Sequence, residues 1–219
     1  MSMLLYAHPF SSYCQKVLIA LYENAAPFTW RMLGPDDPAN LDAFAALWPI
    51  RRMPLLVDDG RPVRESSVII EYLGLRHPGP VPMLPADPAQ ALAVRTLDRF
   101  FDGYVMTPMQ KIVADHIRPE ADRDPRGVRE ARALLGTAYH WLESQLAGRV
   151  WAAGDAFGLA DCAAAPSLFY ADWVEPIPEA CGLVRTYRAR LLARPSMARA
   201  VDEARPYRGL FPPGAPDRD

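Results

Sequence analysis

The stretch His77-Pro78-Gly79-Pro80-Val81-Pro82-Met83-Leu84-Pro85-Ala86-Asp87-Pro88 decides how the chain is divided. Each of its five prolines removes a backbone donor and drives the preceding residue toward an extended conformation. The segment is therefore neither helix nor central strand. It reads as a stiff connector, which predicts domains at 1–77 and 89–219 with 78–88 as linker. On its C-terminal side, residues 89–107 and 126–165 contain no proline, as long helices require. Proline makes up 23 of 219 residues, against an ordinary share of ~5%. Half of the chain is apolar, so this excess punctuates a folded protein and does not mark a disordered one.

On the N-terminal side, short strands alternate with helices. Met3–Ala7 is an apolar run suited to a buried strand, and Tyr13–Glu23 carries Val17, Leu18, Leu21 and Tyr22 at helical spacing. Phe28–Met32 reads as a second strand and Pro38–Trp48 as a helix begun by proline. Leu55–Val57 and Pro62–Arg64 flank Asp58-Asp59-Gly60, a hairpin turn signal, and Val68–Leu75 closes the unit as a helix. The order β-α-β-α-β-β-α is a parallel crossover unit followed by a hairpin and a last helix. Beyond the linker, helices are predicted over Ala89–Met106, Gly127–Leu146, Leu159–Trp173, Leu183–Leu192 and Ser196–Ala204, with a kink at Pro166. The fold class is α/β followed by all-α.

Charge excludes some partners. There are 24 basic and 26 acidic residues, evenly spread across both units, so no nucleic-acid footprint is expected. No uncharged apolar run approaches the ~18 residues of a membrane span, and the start of the chain does not resemble a signal peptide. Cys14, Cys162 and Cys181 are too few and too far apart for a disulfide framework, which fits a reducing cytoplasm. The four histidines show no metal-ligand spacing, and no metal is expected.

Three local motifs fall at the joints of the first unit: Ser11-Ser12-Tyr13-Cys14 entering its first helix, Met53-Pro54 before its third strand, and Glu65-Ser66 entering its last helix. Phe157-Gly158-Leu159-Ala160-Asp161 and Arg194-Pro195-Ser196 add two weaker marks. In this order and spacing the whole chain resembles a cytosolic glutathione transferase, closest to the serine-type, theta- or zeta-like bacterial members. The zeta pattern of two serines and a cysteine followed by an aromatic and two basic residues is not matched, since Tyr13-Cys14-Gln15-Lys16 stands there. The resemblance implies a thioredoxin-like first domain, an all-helical second one, glutathione as co-substrate, a small electrophilic substrate and a homodimer.

It also implies roles for residues. A serine before the first helix is by itself a favoured N-cap; in the family it activates the glutathione thiol. A free thiol has a pKa near ~8.5, and lowering it by two units takes about 2.7 kcal/mol. One hydroxyl hydrogen bond to a thiolate contributes about 1.5–3 kcal/mol and a helix N-terminus about 0.3–2 kcal/mol, so one serine suffices. The family's spacing to the position of Cys14 selects Ser11, with Ser12 as the alternative. Cys14 itself reads as a small buried apolar residue. A cis Met53-Pro54 bond would expose the Met53 backbone to the cysteinyl residue of glutathione. Ser66 caps a helix with no carboxylate at the following turn, leaving its N–H groups to an anion, the γ-glutamyl carboxylate. Glu65 engages the amino group, and Arg52, or its neighbour Arg51, the glycyl carboxylate. Phe10 and Tyr13 are expected to line the electrophile pocket with Tyr104, Met109 and Ile112, flanked by Lys111, His116 and Arg118. Gly158 replaces the family's Ser/Thr cap before Asp161, which is read as structural. Alternatives that share the fold are a specialised glutathione-dependent isomerase, dehalogenase or ether-cleaving enzyme, and a non-catalytic scaffold.

Overall fold

The computed structural model describes residues 3–219. Four short strands, β1 (Met3–Ala7), β2 (Thr29–Met32), β3 (Leu55–Asp58) and β4 (Arg61–Val63), form one sheet in the order β2-β1-β3-β4. β1 and β2 are parallel across the crossover helix α1 (Ser12–Glu23), whereas β3 runs antiparallel to both β1 and β4. The β3–β4 turn has Asp59 and Gly60 at φ 46° and 83°, the paired left-handed residues of a two-residue hairpin. Helices α2 (Pro38–Leu47) and α3 (Ser66–Arg76) complete a thioredoxin-like unit.

No helix or strand occupies residues 77–87. The second unit is helical: α4 (Pro88–Phe100), α5 (Thr107–Ile117), α6 (Pro125–Gln145), α7 (Leu159–Val174), α8 (Gly182–Leu192) and α9 (Pro195–Ala204), then a 3-10 turn at Arg205–Leu210. No helix among the described residues is long and apolar enough to cross a membrane. α7 is buried on nearly every side, and α1 packs against α3, α7 and α9, so these two helices form the seam between the units. Val17, Leu18, Ile19 and Leu21 of α1 are essentially inaccessible to solvent, each contributing about 1.5–3 kcal/mol. This two-sided packing explains why α1 shows no clean apolar face.

One expectation about helix geometry changes. The helix predicted over Ala89–Met106 does not end there: α4 passes into a wide π-helical turn, Phe101–Met106, and on into α5. Pro108 has no N–H to donate backward, and Gly103, a poor residue for a regular helix interior, lies within the turn. The Asp102 carbonyl accepts both the backbone N–H and, at 2.8 Å, the hydroxyl of Thr107, which closes the turn. The helix predicted over Leu159–Trp173 is α7, Leu159–Val174, with Pro166 inside it.

Gly158 has a steric explanation. A Cβ there would lie 2.9 Å from the Met83 carbonyl oxygen of the linker. That carbonyl accepts the first N–H of α7, from Leu159, at 2.8 Å. The linker backbone thus meets Leu159 N–H, and a side chain at 158 is excluded. Asp161, almost wholly buried, accepts from the N–H groups of Gly158 and Ala152 at 2.9 Å each and from the Tyr187 hydroxyl at 2.6 Å. Burial pushes its carboxyl above the usual range, and these three donors oppose that. Arg194 and Ser196 grip Glu23 at the end of α1, Arg194 through two bonds of 2.5 and 2.7 Å. The weaker marks of the second unit are therefore structural clamps.

Candidate active site

A cleft of about 780 Å³ opens between the units, a size ordinary for small-molecule sites. Three joints of the first unit form one wall: the start of α1 with Ser11 and Tyr13, the entry to β3 with Arg51, Arg52, Met53 and Pro54, and the start of α3 with Glu65, Ser66, Ser67 and Val68. From the second unit come Arg99, Asp102 and Gln110.

Ser11 occupies the N-cap position of α1 in extended conformation but makes no cap hydrogen bond. Its hydroxyl faces the cleft and the Cys14 thiol. Ser12, one residue on, is buried and does not line the cleft. Burial pushes the Cys14 thiol up to about 11, against the pull of the Ser11 hydroxyl and the His8 backbone. A thiol so protonated and fully buried is no nucleophile. Tyr13 is pushed up to about 12 by burial and by Asp102, so its phenol is neutral at physiological pH.

Met53-Pro54 is cis. Among the described residues, no hydrogen bond within the protein engages the N–H or C=O of Met53. At α3 the first helical bond is Ile69 N–H to Glu65 C=O, 2.8 Å, so the preceding N–H groups of Ser66, Ser67 and Val68 are free for a ligand. The N-cap is Glu65, at φ 68°, and Ser66 is the first helical residue, one place later than its reading as the cap. Arg51 likewise sits at φ 54°. Two non-glycine residues in this disfavoured region therefore line the same cleft, a pattern that concentrates at functional sites.

The second-unit wall differs from expectation. Met109 and Ile112 are buried in the core, and Tyr104 is exposed outside the cleft, in a separate groove with Leu92 and Phe100. Phe10 packs edge-on against Tyr170 and Phe211 and also lies outside the cleft lining. Lys111 pairs with Asp124 and Arg118 with Asp115, away from the cleft.

One feature of the site escaped the sequence reading. Lys16, 1% exposed, lies directly beneath the cleft. Its ammonium is 2.6 Å from Asp98, 2.9 Å from Asp102 and 2.9 Å from the Ser67 hydroxyl, which itself donates to Asp98 at 2.7 Å. The cluster ties α1, α3 and the π turn together immediately behind the free end of α3. Burial raises the Asp102 carboxyl, Lys16 opposes this and Asp98 adds to it. The available signal was a lysine, next to Gln15, at the head of the apolar run from Val17 to Leu21.

Residues 5–81 match the family model for the glutathione S-transferase N-terminal domain, and residues 104–195 match that for the C-terminal domain. A glutathione transferase from Zea mays is 33% identical over 132 residues, 60% of this chain and 54% of that protein. The chain thus spans about half the length of the curated relatives it matches first. The solved glutathione S-transferase of Methylobacterium radiotolerans, in complex with glutathione sulfonate, is 31% identical. It superposes with a TM-score of 0.79 over 92% of this chain and 95% of that one. A delta-class glutathione transferase from Nilaparvata lugens, 23% identical, shares the fold with a TM-score of 0.83 over 95% of this chain and 98% of that one. Domain matches on both sides of the linker and full-length likeness to a solved member together make this chain a member of the glutathione S-transferase family.

Proposed function

We propose that the protein is a glutathione transferase in which Ser11 stabilises the glutathione thiolate for attack on an electrophilic carbon. The observation that carries this reading is the set of polar groups that one wall of the cleft presents to a ligand, the Ser11 hydroxyl meeting only the buried Cys14 thiol and the others lacking protein partners. In order they are the Ser11 hydroxyl, the Met53 backbone and the free N–H groups at the start of α3. That sequence of groups matches a tripeptide with a central thiol. The Met53 backbone pairs with the cysteinyl residue, the end of α3 with Ser66 takes the γ-glutamyl carboxylate, and Glu65 takes the amino group. Arg52, with Arg51 beside it, takes the glycyl carboxylate.

Bound in this way, the thiol lies at the start of α1, where the Ser11 hydroxyl donates to it. The helix N-terminus adds a favourable field for the anion. The thiolate attacks the electrophile, a carbon–sulfur bond forms, and the leaving group departs with the bonding pair. The chain contributes positioning and stabilisation of charge. The electrophile approaches over Tyr13, between Arg99, which pairs with Asp102, and Gln110, a lining that favours a polar substrate over a purely apolar one.

Calorimetry tests the binding half. Wild-type protein should bind glutathione in the micromolar to millimolar range, about −4 to −8 kcal/mol. Arg52→Ala with Ser66→Ala should weaken that at least tenfold, each lost charge-assisted hydrogen bond removing about 1.5–3 kcal/mol. No heat of binding in the wild type overturns the reading. The homodimer expected of such a protein would cover the exposed Val68, Leu92 and Tyr104. Sedimentation should then give twice the 24.4 kDa chain mass.

A further inference from the structure

We propose that Gln15 and Tyr170 are positioning residues that hold the loop carrying Ser11 from behind, so that the second domain sets the aim of the thiol-stabilising hydroxyl. The proposal rests on the transferase reading above. The loop His8–Ser11 has three successive carbonyls, and each accepts a hydrogen bond. His8 C=O accepts from Ser11 N–H at 3.0 Å, Pro9 C=O from the Gln15 amide at 2.9 Å, and Phe10 C=O from the Tyr170 hydroxyl at 3.1 Å. The Gln15 amide also donates to the Tyr170 oxygen at 3.0 Å, linking the two supports.

Tyr170 belongs to α7, on the far side of the domain seam, and its ring meets that of Phe10 edge-on at 5.5 Å. Phe211, beyond the last helical turn, stacks on Tyr170 and closes the cluster. Gln15 is wholly buried, next to Lys16, and its amide oxygen has no protein partner. A buried amide with one acceptor unmet is a poor residue for packing alone. Its two donor bonds are accounted for if the backbone next to Ser11 must be fixed. Neither residue lines the cleft, so their action on bound glutathione passes through the loop.

Tyr170→Phe removes one hydroxyl and keeps the ring. It should leave glutathione affinity and its KM unchanged while kcat and the thiolate absorbance of bound glutathione at neutral pH fall about three- to tenfold, as for one lost neutral hydrogen bond. Gln15→Met, of similar length, should do the same, and it is the variant read if Tyr170→Phe fails to fold. Unchanged kcat and thiolate signal overturn the proposal, as does a loss confined to glutathione affinity. A wild type that binds glutathione without ionising it overturns the transferase reading instead, which separates the two failures.

Discussion

Ser11→Ala should bind glutathione almost as tightly as the wild type and fail to ionise it. The groups that hold the tripeptide ends lie just ahead of β3 and at the start of α3, whereas Ser11 sits at the start of α1 without a cap hydrogen bond to lose. Removing a hydroxyl that donates to a thiolate forfeits about 1.5–3 kcal/mol. At about 1.4 kcal/mol per pKa unit, the thiol rises by roughly one to two units. At neutral pH the rate then falls about ten- to a hundredfold with KM for glutathione little changed, and it recovers as the pH is raised toward the new pKa. A pH–rate profile of both proteins checks the shift. Ser12→Ala, at a buried position outside the cleft, should leave the profile in place.

Lys16→Met should give the largest loss of stability. The substitution is close in shape but strands Asp98 and Asp102 in the seam without their shared cation. Breaking a buried ion pair by removing one partner costs about 3–5 kcal/mol. For a chain of this size that lowers the melting temperature on the order of 10 °C. The sign of its pH dependence follows from which form the site tolerates. Asp102 already has a raised carboxyl in the intact cluster, and loss of Lys16 raises it further. A carboxyl raised in the folded state supports folding when protonated and opposes it as pH rises through its folded value. The deficit of the variant should therefore shrink in mildly acidic solution. Adding Asp98→Asn and Asp102→Asn should recover part of it at neutral pH. Urea unfolding at two pH values measures both effects.

The first domain was almost wholly legible because its signals are local. Asp59-Gly60 dictates a hairpin turn, Pro38 starts a helix, and the motifs at Ser11, Met53 and Glu65 fall where strands meet helices. The second-domain wall of the cleft was not legible, for a geometric reason. The π turn at Phe101–Met106 takes up an extra residue, and one residue is about 100° of rotation in an α-helix. That is enough to bring Gln110 to the cleft and leave Met109 in the core. Nothing in the apolar periodicity announces the turn, although Gly103 and Pro108 permit it. Lys16 was missed because helical spacing reports which residues are apolar, not which charges find partners from three other segments. Gly158 shows the converse case: it departs from the family's cap, and only the position of the Met83 carbonyl explains why.

The central claim is that this cleft binds glutathione and that Ser11 keeps it ionised. Ultraviolet titration of the bound thiol tests that most directly. Wild-type protein should show a thiolate signal at neutral pH, and Ser11→Ala an alkaline shift of roughly one to two pH units. Bound glutathione that titrates at the same pH in both proteins, with the shift seen in Ser12→Ala instead, would contradict it.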